Sequence, residues 1–99
     1  MTTKNATNSA RPQRRRVTFR FPDEMESDVR LAGTFNNWEP SAHRLRRPGG
    51  DGWYAITLLL PVGRYEYKFM VDGQWHCDPA CPDVAPNEHG TLNSVIEVR

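Results

Sequence analysis

The stretch that decides the fold is residues 65–75, which reads YEYKFMVDGQW. Apolar and polar residues alternate in it, and a period of two is the pleat of a β-strand. The apolar side chains at 65, 67, 69 and 71 therefore share one face, and Lys68 points to the other. Asp72-Gly73 is the pair most typical of a two-residue hairpin turn, and Trp75 lies just beyond it. The stretch predicts a strand whose apolar face packs in the core and whose other face carries a lysine beside a tryptophan.

Further short strands are predicted on both sides of this stretch. They cover residues 15–21, 29–33, 53–60 and 92–98, with a weak, short strand around Leu45. In the last strand Ser94, Ile96 and Val98 are expected to face inward and Asn93 outward. Residues 34–40 form an irregular, asparagine-rich loop, and residues 78–90, with three prolines, are also predicted to be an irregular loop. Short strands separated by Gly and Pro, with no helical period, predict an all-β sandwich.

The 99 residues are enough for one domain. Residues 1–14 are polar, basic and without periodicity, so we interpret them as a disordered tail and residues 15–99 as the β-sandwich. Residues 1–22 hold six of the thirteen Lys and Arg and no acidic residue, which leaves residues 23–99 with seven basic and twelve acidic side chains, a net charge of −5. The body of the domain is therefore not expected to bind nucleic acid.

No apolar run approaches the ~20 residues that span a bilayer, and no secretory signal core is present. We therefore expect no membrane partner and a cytoplasmic protein. The run at residues 14–16, three arginines without interleaved aromatic residues, is interpreted as solvated.

A flat aromatic ring beside a long hydrogen-bond donor suits a ligand with apolar faces and hydroxyl edges, such as a sugar. Each residue taken alone has a simpler explanation. A tryptophan in a small domain is more often part of the core, a lysine on a strand is usually solvated, and an asparagine can cap a loop. Trp53, which opens a predicted strand, is expected to pack at the edge of the sandwich.

Four blocks of sequence, taken together, resemble the glycogen-binding module, family 48 of the carbohydrate-binding modules. They are LAGTFNNW at residues 31–38, GRYEYKFMVDGQW at 63–75, DP at 78–79 and GTLNSVI at 90–96. Modules of this family occur in the β-subunit of AMP-activated protein kinase and before the catalytic barrels of glycogen-branching and debranching enzymes. The resemblance covers residues 16–99. It implies an early-set, immunoglobulin-like β-sandwich that binds α-1,4-linked glucose chains.

The resemblance also implies the residues that contact the sugar. Two tryptophans stack on glucose rings, a lysine and an asparagine bond the hydroxyls, and a threonine adds a contact, at positions that fall on Trp38, Trp75, Lys68, Asn93 and Thr91. One position departs from the family, because His89 replaces a leucine that inserts between sugar units. His89 stays among the candidate residues, with a contact that is expected to be weaker or redirected.

The two cysteines, Cys77 and Cys81, lie in a proline-containing loop near His76 and His89. Zinc sites usually show two-residue cysteine spacings and a second pair, so we expect no metal and no cofactor. Reduced thiols are the favoured interpretation, and a loop disulfide under oxidising conditions is the alternative.

The sequence therefore predicts non-catalytic binding of glycogen, starch or malto-oligosaccharides. No enzyme activity is expected, since glycoside hydrolysis needs two carboxylates held across a cleft. The expected protein partner is a glycogen-metabolism enzyme or a kinase, which the module would target or regulate. The alternative, motivated by His89, is an early-set domain for protein interaction or regulation with weak or no sugar binding.

Overall fold

A computed structural model describes residues 13–22, 27–47 and 52–99 of the chain. Most of the predicted tail, residues 1–14, lies outside these described residues. The strands are β1 (Arg14–Pro22), β2 (Val29–Gly33), β3 (Trp53–Pro61), β4 (Gly63–Val71), β5 (Gln74–His76), β6 (Val84–Pro86) and β7 (Leu92–Val98). Two 3-10 turns, Thr34–Asn36 and Pro40–Ala42, lie between β2 and β3. Within the described ranges, no helix is long and apolar enough to cross a membrane.

The strands form two antiparallel sheets. One sheet pairs β1 with β3. The other has the order β2-β4-β7-β6, and β5 pairs with the end of β4. In this register Leu31 lies opposite Phe69, and Tyr67 lies opposite Ser94. Since each sheet contributes one apolar face to a shared core, the predicted all-β sandwich is confirmed.

The core is built from the period-two apolar faces of both sheets. Its buried members are Phe19, Val29, Leu31, Leu45, Tyr54, Leu60, Tyr67, Phe69 and Val98. Aromatic pairs join the sheets, with ring centroids 4.9 Å apart between Phe19 and Tyr67 and 5.1 Å apart between Phe21 and Phe69. Such pairs contribute about 0.5–1.5 kcal/mol each beyond their buried area. The alternation at residues 65–71 thus forms a core wall, as predicted.

The buried hydroxyl of Tyr67 holds the segment that follows β5. It donates a hydrogen bond to Asp78 Oδ2 at 2.7 Å, and the Asp78 N–H donates to Ser94 Oγ at 2.8 Å. Burial first, and the bond to Asp78 second, raise the pKa of Tyr67 above its ordinary value. The hydroxyl therefore remains a donor and fixes residue 78 against β4 and β7.

The segment around Leu45 connects the two sheets. Arg44 forms an isolated bridge with Arg30 of β2, and Arg46 forms one with Ala55 of β3. Leu45 between them is only 2% exposed. The weak, short strand predicted here is therefore a bridge between the sheets that inserts one leucine into the core.

The prediction of an irregular loop over residues 78–90 is wrong in part. Strand β6 (Val84–Pro86) lies within it and pairs with β7, with Ala85 opposite Asn93. Proline is tolerated in a sheet on an edge strand, where no partner needs its missing N–H. β6 is such an edge strand, and Pro86 is its last residue.

Candidate functional site

Trp38 is presented by the asparagine-rich loop that follows β2. The Asn36 side chain accepts from the Gly33 N–H and donates to the Leu31 carbonyl, both at 3.0 Å. Asn37 then takes a left-handed conformation with φ of 56°, which asparagine tolerates well. Trp38 also has a positive φ, 58°, and its N–H donates to the Gly33 carbonyl at 2.9 Å. The loop thus aims a half-buried indole away from the core.

Trp75 reaches the same side of the molecule from a hairpin. Asp72 and Gly73 have φ of 49° and 81°, and positive values at both central residues are what a type I′ hairpin turn requires. The returning strand β5 places Trp75 opposite Met70 of β4. Residues opposite each other in an antiparallel pair share a face, so Trp75 lies on the outer face, together with Lys68. The indole is 46% exposed.

The outer face of β4 and β7 carries a polar cluster. Lys68 Nζ donates to Thr91 Oγ1 at 3.0 Å. Asn93 Nδ2 donates to Glu66 Oε1 at 3.0 Å, and Arg64 Nη1 donates to Glu66 Oε2 at 2.8 Å. These bonds join side chains of β4 to β7 and to the residue that precedes it.

The turn before β7 is organised by Asn87. Its Oδ1 accepts from the backbone N–H groups of His89 and Thr91, at 2.9 and 3.1 Å. Its Nδ2 donates to Thr91 Oγ1 at 2.7 Å and to Asn93 Oδ1 at 2.9 Å. One amide therefore fixes both the loop that carries His89 and the orientation of the Asn93 side chain.

These elements enclose a groove of about 730 Å³. We call it the outer groove; it is lined by Thr34, Trp38, Glu66, Lys68, Trp75, Asn87, Glu88, His89, Thr91 and Asn93. All six residues named by the sequence as candidates for sugar contact are in this set. Two indoles, an ammonium, a carboxamide and a hydroxyl thus converge on one surface.

Asn93 differs in one respect from the expectation. It faces outward, away from Ser94, but the residue is only 6% exposed. Asn87 and Glu66 cover it from either side through the two hydrogen bonds given above. Its amide has one N–H and one lone pair that these two bonds do not use, in an orientation that its neighbours fix.

Four residues of the outer groove are absent from the sequence-based set, namely Thr34, Glu66, Asn87 and Glu88. Glu66 could have been identified from the sequence, because it lies two residues before Lys68 on the same strand and therefore shares its face. Asn87 could not have been identified in this way, since its position in the groove depends on contacts across a turn.

The carboxyl of Glu66 has a lowered pKa. The hydrogen bond from Asn93, followed by that from Arg64, holds the pKa of the Glu66 carboxyl below its usual value of 4.5. Both donors favour the charged form of the acid. Glu66 is thus an ionised acceptor at neutral pH.

Trp53 and the cysteines lie outside the outer groove. Trp53 opens β3, and the guanidinium of Arg20 lies 4.5 Å above its ring. Cys77 and Cys81 are free thiols, and their Sγ atoms lie 3.2 Å from the Leu92 and Val95 carbonyls respectively. Across the described ranges no cluster of His, Cys, Asp or Glu is arranged to hold a metal ion.

The sequence pattern of a known family matches residues 15–99, and that family is described as the glycogen recognition site of AMP-activated protein kinase. The chain belongs to this family. It is 40% identical over 72 residues to 5′-AMP-activated protein kinase subunit beta-1 of Sus scrofa, a match that covers 73% of this chain and 55% of that relative. Against the same subunit of Mus musculus the identity is 36% over 94 residues, covering 95% of this chain and 33% of the relative. The chain thus spans about half, or less, of the length of these relatives.

A solved structure with the same fold is the enterobactin esterase FES from Shigella flexneri, determined in the presence of 2,3-di-hydroxy-N-benzoyl-serine. The match has a TM-score of 0.67 at 15% identity and covers 94% of this chain and 34% of that chain. At this identity the likeness concerns the fold alone. It agrees with the immunoglobulin-like, early-set β-sandwich that the sequence predicts.

Proposed function

We propose that this domain of the glycogen-recognition family binds α-1,4-linked glucans such as glycogen, starch and malto-oligosaccharides. The observation that carries the proposal is the convergence of two indoles, an ammonium and a carboxamide on the outer groove. In this proposal Trp38 and Trp75 stack on glucose rings, and Lys68 and Asn93 bond the hydroxyls. Thr91 adds a contact beside Lys68, and His89 flanks the groove at the tip of its turn.

The chemistry of the groove fits the chemistry of glucose. The C–H faces of the ring are apolar and match an indole face, and burial contributes about 25 cal/mol per Å² of apolar area. Two platforms, one on a loop and one on strand β5, suit a curved α-1,4 chain better than a flat ribbon. Stacking discriminates poorly between sugars, so the fixed donors of Lys68 and Asn93 supply selectivity for hydroxyl positions.

The role that we propose is non-catalytic. A glycosidase needs a carboxylic acid with a raised pKa to protonate the leaving group, opposite a second carboxylate. The pKa of Glu66 is shifted in the opposite direction, and the Glu88 side chain is 88% exposed. Because its relatives are named as subunits of a kinase, we propose that the domain brings a kinase or a glycogen-metabolism enzyme to the polymer.

The test is calorimetric titration with maltoheptaose of the wild type, Trp75→Ala and Leu59→Ala. Trp75→Ala removes a platform from the outer groove, and we expect affinity to fall about tenfold or more, the loss of roughly 1.5–3 kcal/mol for an aromatic side chain buried by ligand. Leu59 is 58% exposed on β3 and lies outside the groove, so Leu59→Ala is the matched control and should bind as the wild type does.

Equal affinity of Trp75→Ala and the wild type would show that the outer groove is not the binding surface. A wild type that binds no maltoheptaose would instead favour the alternative of a protein-interaction domain.

A further inference from the structure

Glu66 lies in the outer groove, yet the proposed function gives it no contact with the ligand. We propose that Glu66 is itself a glucan-binding residue, whose carboxylate accepts hydrogen bonds from neighbouring hydroxyls of one glucose unit. The inference rests on the proposed function of the groove and adds to it a specificity-determining acceptor.

The position of Glu66 supports a direct contact. It lies on β4 on the same face as Lys68, and its backbone N–H donates to Thr34 Oγ1 at 3.3 Å. Its side chain is 24% exposed and lines the outer groove together with both tryptophans. The residue is therefore held in place by the sheet while part of its side chain stays open to a ligand.

The hydrogen bonds of Glu66 leave acceptor capacity unused. One oxygen accepts from Asn93 and the other from Arg64, at 3.0 and 2.8 Å. A carboxylate offers about four lone-pair sites, so roughly one site on each oxygen remains. Adjacent hydroxyls on a sugar ring present two O–H donors, which is the number that these two sites accept.

The charges around Glu66 keep it an acceptor. Arg64 and Lys68 flank it on β4, and Glu88 and His89 lie across the groove on the turn before β7. The Asn93 and Arg64 bonds lower the pKa of Glu66, so the carboxylate is ionised throughout the range above its ordinary value of 4.5. An acceptor-only group complements the donors on Lys68 and Asn93, and it disfavours anionic sugars through like-charge repulsion.

A purely supporting role for Glu66 is the competing explanation, in which it only orients the Asn93 amide. Glu66→Gln separates the two, because glutamine keeps a side-chain oxygen that can accept from Asn93. It loses the charge and the oxygen that accepts from Arg64, neither of which the orientation of the Asn93 amide requires.

The experiment compares maltoheptaose affinity for the wild type, Glu66→Gln and Glu97→Gln. We expect roughly tenfold weaker binding in Glu66→Gln, the scale of losing a hydrogen bond to a charged acceptor. Glu97→Gln is the matched control, because Glu97 lies on the outer face of β7, pairs with Arg99 and is outside the groove. It should bind as the wild type does.

A titration series from neutral pH to below 4.5 supplies a second readout. Wild-type affinity should hold above that value and fall as the pH drops through the lowered pKa of Glu66, whereas Glu66→Gln should lack this component. Lys68, Glu88 and His89 are common to both proteins, so the difference between the two profiles belongs to Glu66. Circular dichroism at each pH confines the comparison to folded protein.

Two outcomes overturn the inference. One is Glu66→Gln that binds as tightly as the wild type, and the other is parallel pH profiles for the two proteins. In both cases a wild type that still binds maltoheptaose leaves the proposed function intact. A wild type that fails to bind overturns the proposed function as well.

Discussion

At the scale of single residues, Asn36, Asn37 and Trp38 have different structural roles in the loop after β2. The Asn36 amide replaces missing backbone partners in the turn, with bonds to Gly33 and Leu31. Asn37 and Trp38 both have positive φ. A bulky residue in that region costs about 1–3 kcal/mol, and surrounding contacts must offset it. The backbone strain at Trp38 thus lies where the indole has to be aimed outward.

His89 is a residue of the outer groove at which we expect a substitution to strengthen the proposed glucan binding. Its side chain is 78% exposed, and its position on the turn is fixed by Asn87. We expect His89→Leu to bind maltoheptaose about two- to tenfold more tightly, because an apolar side chain at the groove rim buries more apolar area against the sugar. The measurement is the calorimetric affinity, with the unfolding midpoint as control. Weaker binding by a stably folded His89→Leu would contradict this expectation.

Sequence reasoning succeeds for single residues where a local pattern fixes the direction of a side chain. Lys68 and Trp75 follow from alternation and the Asp72-Gly73 turn. The burial of Asn93 could not be predicted, because Asn87, across the turn before β7, and Glu66, on β4, cover it only in the folded chain.

At the scale of elements, β2 and β4 approach each other closely at Gly33. Gly33 has φ of −172°, an extended conformation that any residue adopts. A Cβ there would lie 2.6 Å from the Glu66 carbonyl oxygen and 2.9 Å from the Phe35 ring. A side chain at this position would have no room, so glycine is required, and it lets β2 approach the backbone of Glu66 in the groove.

Gly33→Ala should lower the free energy of unfolding by about 1–3 kcal/mol, because the added methyl overpacks a fixed backbone. Gly73→Ala is the comparison, since a Cβ at Gly73 meets nothing within 4 Å and the cost comes only from its φ of 81°. That cost is about 1 kcal/mol. Urea unfolding measures both. A Gly33→Ala protein as stable as the wild type would show that the strands separate without cost.

Strands with strong alternation were predicted well, and the failure at β6 has a physical cause. Prolines argue against a strand only where the sheet needs their N–H groups. The edge position of β6, which a sequence does not reveal, removes that need for Pro86. The bridging role of Leu45 was missed for a similar reason, since it depends on the spacing of two packed sheets.

At the scale of the whole molecule, the outer groove draws on four separate segments. Trp38 comes from the loop after β2, Lys68 from β4, Trp75 from β5, and Asn93 from β7 beside its preceding turn. The β-sandwich holds these segments together through the core beneath β4, where Tyr67 and Phe69 are buried. Family resemblance predicts the roles of these residues, and the fold brings them to a common location.

The measurement that tests this account most directly is a nuclear magnetic resonance titration of isotope-labelled protein with maltoheptaose. The indole N–H signals of Trp38 and Trp75 and the side-chain amide of Asn93 should shift together along one saturation curve. The indole N–H signal of Trp53, whose ring lies under Arg20 on the other sheet, should not shift. Shifts centred on Trp53, or saturation without change at Trp38 and Trp75, would contradict the claim that the outer groove binds glucan.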